Sequence, residues 1–185
     1  MVGVKIPIWK HLRAIAFLPG MAILVIPSSI LFLTKMSGSS WFGYPLVRVI
    51  SIALAALLIS VGLLLMAQTI SMFVRIGKGT LAPWDATSHM VLHGVYRHVR
   101  NPMISGVFCI LLGESVLFGS IPLFIWFVIF VLMNAIYIPF IEEPGLEERF
   151  GEEYLVYKKN VPRWIPLIKP WIPPSFKDAD EKRRE

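Results

Sequence analysis

Cysteine and the usual metal-binding patterns are scarce in this chain of 185 residues. A single cysteine, Cys109, lies within an apolar run, which excludes an intramolecular disulfide and any zinc site built from several cysteines. The four histidines, His11, His89, His93 and His98, do not form a His-Glu-x-x-His type of pattern. The sequence therefore predicts no metal site.

Charged residues are also few: they make up 16% of the chain, whereas 56% of it is hydrophobic. That balance lies outside the range of ordinary soluble domains. The formal net charge of +6 does not indicate nucleic-acid binding, because the basic residues sit between long apolar runs and at the ends, with no basic stripe interleaved with aromatics. Basic residues beside apolar runs are typical of proteins oriented in a membrane, so the predicted partner is the lipid bilayer.

Four apolar runs have, or approach, the length that a membrane-crossing helix needs. They cover residues 14–34, 49–74, 103–118 and 121–140. Only Gly119-Ser120 separates the last two runs, which favours a tight helical hairpin. The first run is too long for the apolar region of a signal peptide, and no small-x-small cleavage site follows it, so we expect a retained anchor.

Lysine and arginine are distributed unevenly between these runs. The N-terminal segment, the long second connection and the C-terminal segment are rich in them, whereas the first connection holds only Lys35 and Arg48 and the third holds none. This alternation predicts four spans, with both termini and the polar segments in the cytoplasm. The expected fold is an all-α, polytopic membrane helical bundle that forms one domain over residues 1–185. We expect it in a bacterial or archaeal plasma membrane rather than in an organelle.

The segment after the fourth run has helical periodicity. Charged residues occupy the other faces of this helix. The apolar residues recur at spacings of four and three: Leu146, Phe150, Tyr154, Tyr157 and Val161. The pattern predicts an amphipathic cytoplasmic helix that ends before Pro162. Such a helix either lies on the membrane surface or forms a wall over a cytoplasmic site. A charged tail over residues 177–185 follows.

Asn101-Pro102 immediately precedes the third run. Asparagine favours the N-cap of a helix, and proline fits the first turn. The third helix should therefore begin at the membrane surface with free amide donors, where it can bind a carboxylate or a phosphate, and Arg100 adds a positive charge there. The alternative is a plain helix cap beside an arginine that contacts lipid phosphate.

Acidic residues occur in two unusual places. Glu142-Glu143 follows the fourth run directly. These carboxylates are candidates to cap Pro144 and the following helix, to neutralise Arg97 or Arg100, or to hold the cationic part or the hydroxyls of a ligand, and these roles are not exclusive. Glu114 lies inside the third run, where an embedded carboxylate is a functional candidate. Its alternatives are an ion pair with a neighbouring helix, protonation, or snorkelling to the nearby turn.

Two separated motifs resemble those of the isoprenylcysteine carboxyl methyltransferase and phospholipid methyltransferase superfamily. Residues 93–106, which read His-Gly-Val-Tyr-Arg-His-Val-Arg-Asn-Pro-Met-Ile-Ser-Gly, are similar to its G-x-Y…R-(H/N)-P-x-(Y)-x-G signature. The second half of the signature is matched by Glu142-Glu143, residues 150–159 and Val161-Pro162. The resemblance covers about residues 79–166, and each motif lies at the predicted cytoplasmic end of a span.

This resemblance implies S-adenosylmethionine as the cofactor, held between residues of about 79–106 and about 141–166. The implied wall for the nucleoside consists of Ser88, His89, Met90 and Val91, and the implied aromatic contact is Tyr96. The implied cradle for the methionine part consists of Asn101, Pro102, Met103 and Ile104. The implied carboxylate for a polar group of the cofactor is Glu142. The catalytic candidates are Arg100, which would orient anionic groups, and Glu143, which, or else a histidine, would accept a proton from an amine acceptor.

The chain departs from the family pattern at three positions. Asn101 stands where many members have histidine, Ile104 replaces an aromatic residue, and Ile138 stands where prenylcysteine-modifying members have arginine. The last difference argues against a prenylcysteine carboxylate as substrate. The predicted function is in-line methyl transfer to a lipophilic or small acceptor, on a carboxylate oxygen or an amine nitrogen, with the acceptor entering laterally from the membrane.

Two alternatives remain open at this point. One is an NADPH-dependent, sterol-reductase-like membrane enzyme, since that class has a similar C-terminal signature. The other is a non-enzymatic membrane adaptor that docks through its amphipathic helix. The adaptor predicts that Tyr96→Ala and Glu142→Ala leave function intact, whereas the methyltransferase predicts loss of cofactor binding.

Overall fold

The structure, a computed structural model, describes residues 19–34, 44–72, 90 and 92–173. Within these ranges the regular structure is helical throughout and contains no strand, which confirms the all-α prediction. The α-helices, in chain order from α1 to α5, are Ile26–Leu33, Pro45–Met72, Pro102–Phe118, Ile121–Tyr137 and Glu143–Asn160. Three shorter turns accompany them: a π-helical turn Met21–Val25 before α1, a 3₁₀ turn Gly94–Arg97 before α3, and a π-helical turn Ile138–Glu142 between α4 and α5.

Two of the helical stretches are long and apolar enough to cross a membrane. They are Pro45–Met72 and Ile121–Phe150, and the apolar part of the second ends before Glu142. Met21–Leu33 and Pro102–Phe118 are apolar but shorter. The described residues therefore contain two candidate spans where the sequence predicts four. Part of the first predicted span, residues 14–18, lies outside the described ranges, as does the tail 177–185.

Helices α2 and α3 pack together through glycines. A Cβ atom added at Gly62 would lie 2.5 Å from the carbonyl oxygen of Gly106, and one at Gly113 would lie 2.7 Å from Cγ1 of Ile59. Small residues let helix backbones approach this closely, which is how membrane helices gain packing without a hydrophobic driving force between them. This interface fixes the position of α3, and with it the height at which α3 begins.

The predicted hairpin between α3 and α4 is present. Gly119 ends α3 in the left-handed conformation with φ 55°, and the hydroxyl of Ser120 accepts a hydrogen bond of 3.4 Å from the amide of Leu123. Glycine adopts that φ without the steric cost that other residues have. Two residues thus suffice to reverse the chain.

Both π-helical turns end two residues before a proline. The amide of Ile26 donates to the carbonyl of Met21, before Pro27, and that of Glu143 donates to the carbonyl of Ile138, before Pro144. Because proline has no N–H and disrupts the regular ladder, a local widening of the helix is a common response. The second turn sets the directions in which the two acidic residues leave the apolar helix.

Helix α5 has the apolar face that the sequence predicts, and this face packs on the protein. Tyr154, Tyr157 and Val161 form a buried cluster with Leu92, and four partly buried residues join it: Met90, Leu146, Phe150 and Trp171. Gly151, with φ 53° and ψ −130°, interrupts the helix. The helix ends at Asn160. Its apolar face therefore forms a wall against the segment that leads into α3.

Candidate functional site

The segment before α3 makes a turn that places the helix start beside polar residues. Gly94 has φ 54°, in the left-handed region, and opens the 3₁₀ turn. Asn101 occupies the N-cap position of α3 with Pro102 behind it, as the sequence predicts. The side chain of Asn101, however, makes no capping hydrogen bond, because its φ of −119° and ψ of 59° differ from ordinary N-cap geometry. The amides of Met103 and Ile104 thus receive no acceptor from the Asn101 side chain.

A C-terminal strap, defined as residues 162–173, follows α5 and binds this segment through its backbone. Three bonds join backbone atoms at 2.9 Å: Arg100 N to Pro162 O, Leu167 N to His98 O, and Trp171 N to Arg97 O. Two side chains add bonds of 2.7 Å to strap carbonyls: Arg97 Nε to Trp171 O, and His98 Nδ1 with Leu167 O. The hydroxyl of Tyr157 adds a bond of 2.7 Å to the carbonyl of Tyr96. The first motif, residues 93–106, is therefore hydrogen-bonded directly to Tyr157 and Pro162 of the second motif and to the strap.

Glu143 is the centre of the ionic network. Its Oε1 accepts hydrogen bonds from Nη1 of Arg100 at 2.9 Å and from Nε of Arg163 at 2.7 Å. Its Oε2 lies 3.1 Å from Nζ of Lys158, and the side chain is only 2% exposed. Burial alone would raise the pKa of Glu143, but the bonds from Arg163 and Lys158 and the charge of Arg100 outweigh it and lower the pKa. Glu143 is therefore held in its ionised form.

Arg100 is nine-tenths buried, with a side chain 10% exposed. One guanidinium nitrogen, Nη1, contacts both Glu143 and, at 3.4 Å, the hydroxyl of Tyr154. Its Nε is buried and has no hydrogen-bond partner in the described part of the chain. A buried N–H without an acceptor is costly, so it points to an acceptor other than the described residues.

Glu142 is in the opposite situation to its neighbour. It is partly exposed, and among the described residues no hydrogen bond or ion pair involves its carboxylate. Burial raises the pKa of Glu142, and the charge of Glu143 raises it further. Glu142 also lies near Tyr96: burial raises the pKa of Tyr96 well above its ordinary value, Tyr157 and Glu142 add to this, and a hydrogen bond with Thr69 opposes it.

The structure brings together most of the residues that the sequence singles out. The start of α3, Tyr96, Arg100 and the two glutamates lie around one region at the end of the bundle, and Met90 packs at its edge. Ser88, His89 and Val91 lie outside the described residues. Glu114 lies within α3, well away from that helix's start, and its Oε2 is buried without a partner in the described part.

Sequence reasoning missed two contributors. Arg163 binds Glu143, and Thr69 of α2 hydrogen-bonds with Tyr96. The sequence signal for the second was a threonine near the end of the apolar run over residues 49–74, and the structure shows that it is fully buried. Among the described residues, no cluster of three or more histidine, cysteine, aspartate or glutamate side chains is arranged to hold a metal ion.

Comparisons with known proteins match the part of the chain that forms this candidate site. A family model described as phospholipid methyltransferase matches residues 50–153, which include both glutamates and the whole segment before α3. The chain is 35% identical over 85 residues to the Protein-S-isoprenylcysteine O-methyltransferase of Schizosaccharomyces pombe (strain 972 / ATCC 24843). That alignment covers 43% of this chain and 34% of the relative, so the chain spans about a third of the length of the curated relative it matches. No solved structure matches the chain.

Proposed function

Because this chain belongs to the phospholipid methyltransferase family, we propose that it is a membrane-embedded methyltransferase that uses S-adenosylmethionine to methylate a lipophilic or small acceptor. The observation that carries the proposal is the meeting of two separated motifs. Tyr96, Arg100 and the start of α3 come from one motif, and Glu142, which is 42 residues after Arg100 in the chain, comes from the other.

The residues present fit the chemistry of this cofactor. Nε of Arg100 is a buried donor that has no acceptor among the described residues, and the first amides of α3 add donors and the positive end of a helix dipole. Both suit a carboxylate. Glu142 is an acceptor without a donor in the described part, and it suits an ammonium group or ribose hydroxyls. A zwitterionic amino-acid group beside a nucleoside presents these complementary features.

We assign binding roles accordingly. Arg100 and the amides of Met103 and Ile104 hold an anionic group at the start of α3, Glu142 holds a cationic or hydroxyl group, and Tyr96 packs against the cofactor. Ser88, His89, Met90, Val91, Asn101 and Pro102 complete the proposed set. S-adenosylmethionine supplies an electrophilic methyl group on a sulfonium, so the protein's own contribution is alignment of the reactants and exclusion of water.

The two glutamates receive different roles in this proposal. Glu143 is held by three cations with a lowered pKa, which makes it a weak base, so we assign it the positioning of Arg100. The carboxylate of Glu142 makes no hydrogen bond or ion pair within the described residues, so Glu142 keeps the role of cofactor ligand. A carboxylate acceptor would need no base.

The membrane arrangement is part of the proposal. We propose four crossings, in which the two shorter apolar helices Met21–Leu33 and Pro102–Phe118 accompany the two longer ones, and we place the site on the cytoplasmic side. The cofactor then enters from the cytosol and a lipophilic acceptor enters laterally between helices. Ile138 is 1% exposed and apolar, which disfavours a carboxylate-binding role at that position.

A radiolabelled methyl-transfer assay tests the activity and identifies the acceptor. Membranes that contain the full chain are incubated with S-adenosylmethionine labelled in its methyl group, and the lipid and water-soluble fractions are then extracted and resolved. We expect label in a product that is absent from membranes without the chain. Absence of labelled product from every fraction, with the folded protein present, contradicts the proposal.

Matched variants connect the activity to the site. Glu142→Gln removes the charge of the proposed cofactor ligand, whereas Glu153→Gln makes the same change at an exposed position of α5. Losing a hydrogen bond to a charged group costs about 1.5–3 kcal/mol, so cofactor affinity should fall about tenfold to a hundredfold in the first variant and remain unchanged in the second.

A further inference from the structure

The outer face of the C-terminal strap is strongly apolar. Ile165 is 79% exposed and Ile168 is 98% exposed, and Ile172 is exposed as well. These three residues recur at spacings of three and four, and Lys169 lies exposed among them. An apolar row of this kind marks a surface that something covers.

The inner face of the strap is fully engaged. The ring of Trp164 lies 5.2 Å from that of Phe108, and the ring of Trp171 lies 5.9 Å from that of Tyr157. Between them, Leu167 bonds to His98 through its amide and its carbonyl. The isoleucines therefore cannot turn inward without breaking these contacts.

The contact with Phe108 fixes the height of the strap relative to the membrane helices. Phe108 is six residues into α3, which is about 9 Å along the helix from its first residue. The strap also begins beside the end of the α4 span, since Arg163 binds Glu143, and Phe140 and Ile141 of the same turn are exposed apolar residues. Interfacial segments lie about 5–10 Å into the boundary between headgroups and acyl chains. With the membrane arrangement proposed above, in which α3 begins at the membrane surface, the strap lies at the depth of that boundary.

The strap cannot be a further crossing. Both of its ends are tied to the segment before α3, and its four prolines, Pro162, Pro166, Pro170 and Pro173, prevent a continuous helix. We propose that it is an in-plane membrane anchor: Ile165, Ile168 and Ile172 insert into the lipid surface on the side of the candidate site, and this docking holds residues 97–100 in place. The exposed cation Lys169 suits anionic lipid headgroups at the same surface.

Fluorescence quenching in bilayers tests the docking. In the full chain, Cys109→Ser removes the native thiol, and Ile168→Cys then carries an environment-sensitive label, with Glu152→Cys on exposed α5 as the matched control. We expect a blue-shifted emission at position 168 and severalfold stronger quenching by brominated phosphatidylcholine than at position 152. Lipid quenching at 168 that does not exceed that at 152 overturns the proposal. A label shielded from both lipid bromine and aqueous iodide also overturns it, because protein would then cover the strap.

Hydrogen exchange tests the connection to the site without any cofactor. The amides of Arg100, Leu167 and Trp171 are the donors of the strap bonds. In the double variant Ile165→Ser/Ile168→Ser, we expect these three amides to exchange at least several times faster in bilayers, with unchanged exchange in α2. Equal exchange in variant and wild type overturns the coupling between docking and the loop.

Discussion

The α2–α3 interface and the polar lobe, meaning residues 92–101 and 142–173, hold the same molecule together by different physics. The interface depends on backbones that approach closely at Gly62, Gly106 and Gly113. The polar lobe depends on the buried carboxylate of Glu143 and on backbone hydrogen bonds between the strap and residues 97–100, which precede α3. One region positions the start of α3, and the other builds the site around it.

The two regions respond differently to change. Added volume destabilises a packed apolar interface, because side chains and backbones must then shift. Removing one charge from a buried ion network destabilises the protein, because the oppositely charged partners then stay buried without a counter-charge. The contrast also separates two neighbouring glutamates: Glu143 belongs to the framework of the lobe, whereas Glu142 is the residue that we propose binds a ligand.

The largest effect is expected from Glu143→Ala. It leaves the buried Arg100 and the partly buried Arg163 without their anion and leaves Lys158 with Glu147 as its partner, so unfolding free energy should fall by about 3–5 kcal/mol, measured by thermal or denaturant unfolding in micelles. The lowered pKa of Glu143 means that this stabilisation is present above the ordinary carboxyl pKa and is lost as pH falls through the lowered value.

Glu147→Gln is the control for that prediction. Glu147 also pairs with Lys158, but both side chains are about one-third exposed, so the change should stay within about 0.5 kcal/mol. Equal losses in the two variants would show that Glu143 is not the centre of the lobe.

The next effect concerns binding rather than stability. Glu142 has a raised pKa and, as the proposed ligand of a cationic or hydroxyl group, must be ionised to bind it well. Affinity for S-adenosylmethionine should therefore increase as the pH rises through the raised pKa of Glu142, and Glu142→Gln should flatten the profile. Calorimetric titrations at several pH values measure this, and an unchanged slope in the variant would remove Glu142 from the site.

Overpacking the membrane interface is expected to cost about 1–3 kcal/mol. In Gly62→Ala, the new Cβ would lie 2.5 Å from the Gly106 carbonyl oxygen and 2.6 Å from Cγ1 of Ile110, so the helices must separate. Gly145→Ala, where nothing lies within 4 Å, is the matched change and should be neutral or stabilising. Similar unfolding midpoints for the two variants would contradict close packing of α2 on α3.

The smallest effect is expected from Tyr157→Phe. The change removes the 2.7 Å bond to the Tyr96 carbonyl and retains the ring that packs on Trp171, so stability should fall by about 1 kcal/mol. Unfolding measurements check this, and Tyr44→Phe at an exposed position provides the baseline. A loss no greater than the baseline would mean that the bond contributes nothing net.

Much of the architecture follows from local pattern. The hairpin at Gly119-Ser120, the boundaries of α3 and the apolar face of α5 were all predictable, because turn chemistry and helical periodicity act over a few residues. The interruption at Gly151 was not predictable, since a glycine inside a helical pattern is usually tolerated.

The site was less predictable than the helices. Neighbouring residues on a helix point about 100° apart, so the sequence could not say which of Glu142 and Glu143 turns into the buried network. The side-chain bond expected from Asn101 is missing because the residue adopts a different backbone conformation. The strap's bonds to residues 97–100 join positions more than 60 residues apart, and no local pattern encodes them.

The central claim is that the polar lobe binds S-adenosylmethionine through Glu142 and the start of α3. Its most direct test is a calorimetric titration of the purified full chain in lipid nanodiscs with S-adenosylmethionine and, separately, with NADPH, for wild type and Glu142→Gln. The account predicts binding of S-adenosylmethionine only, weakened about tenfold or more by the variant. Binding of NADPH but not S-adenosylmethionine, or an affinity that Glu142→Gln leaves unchanged, would contradict it.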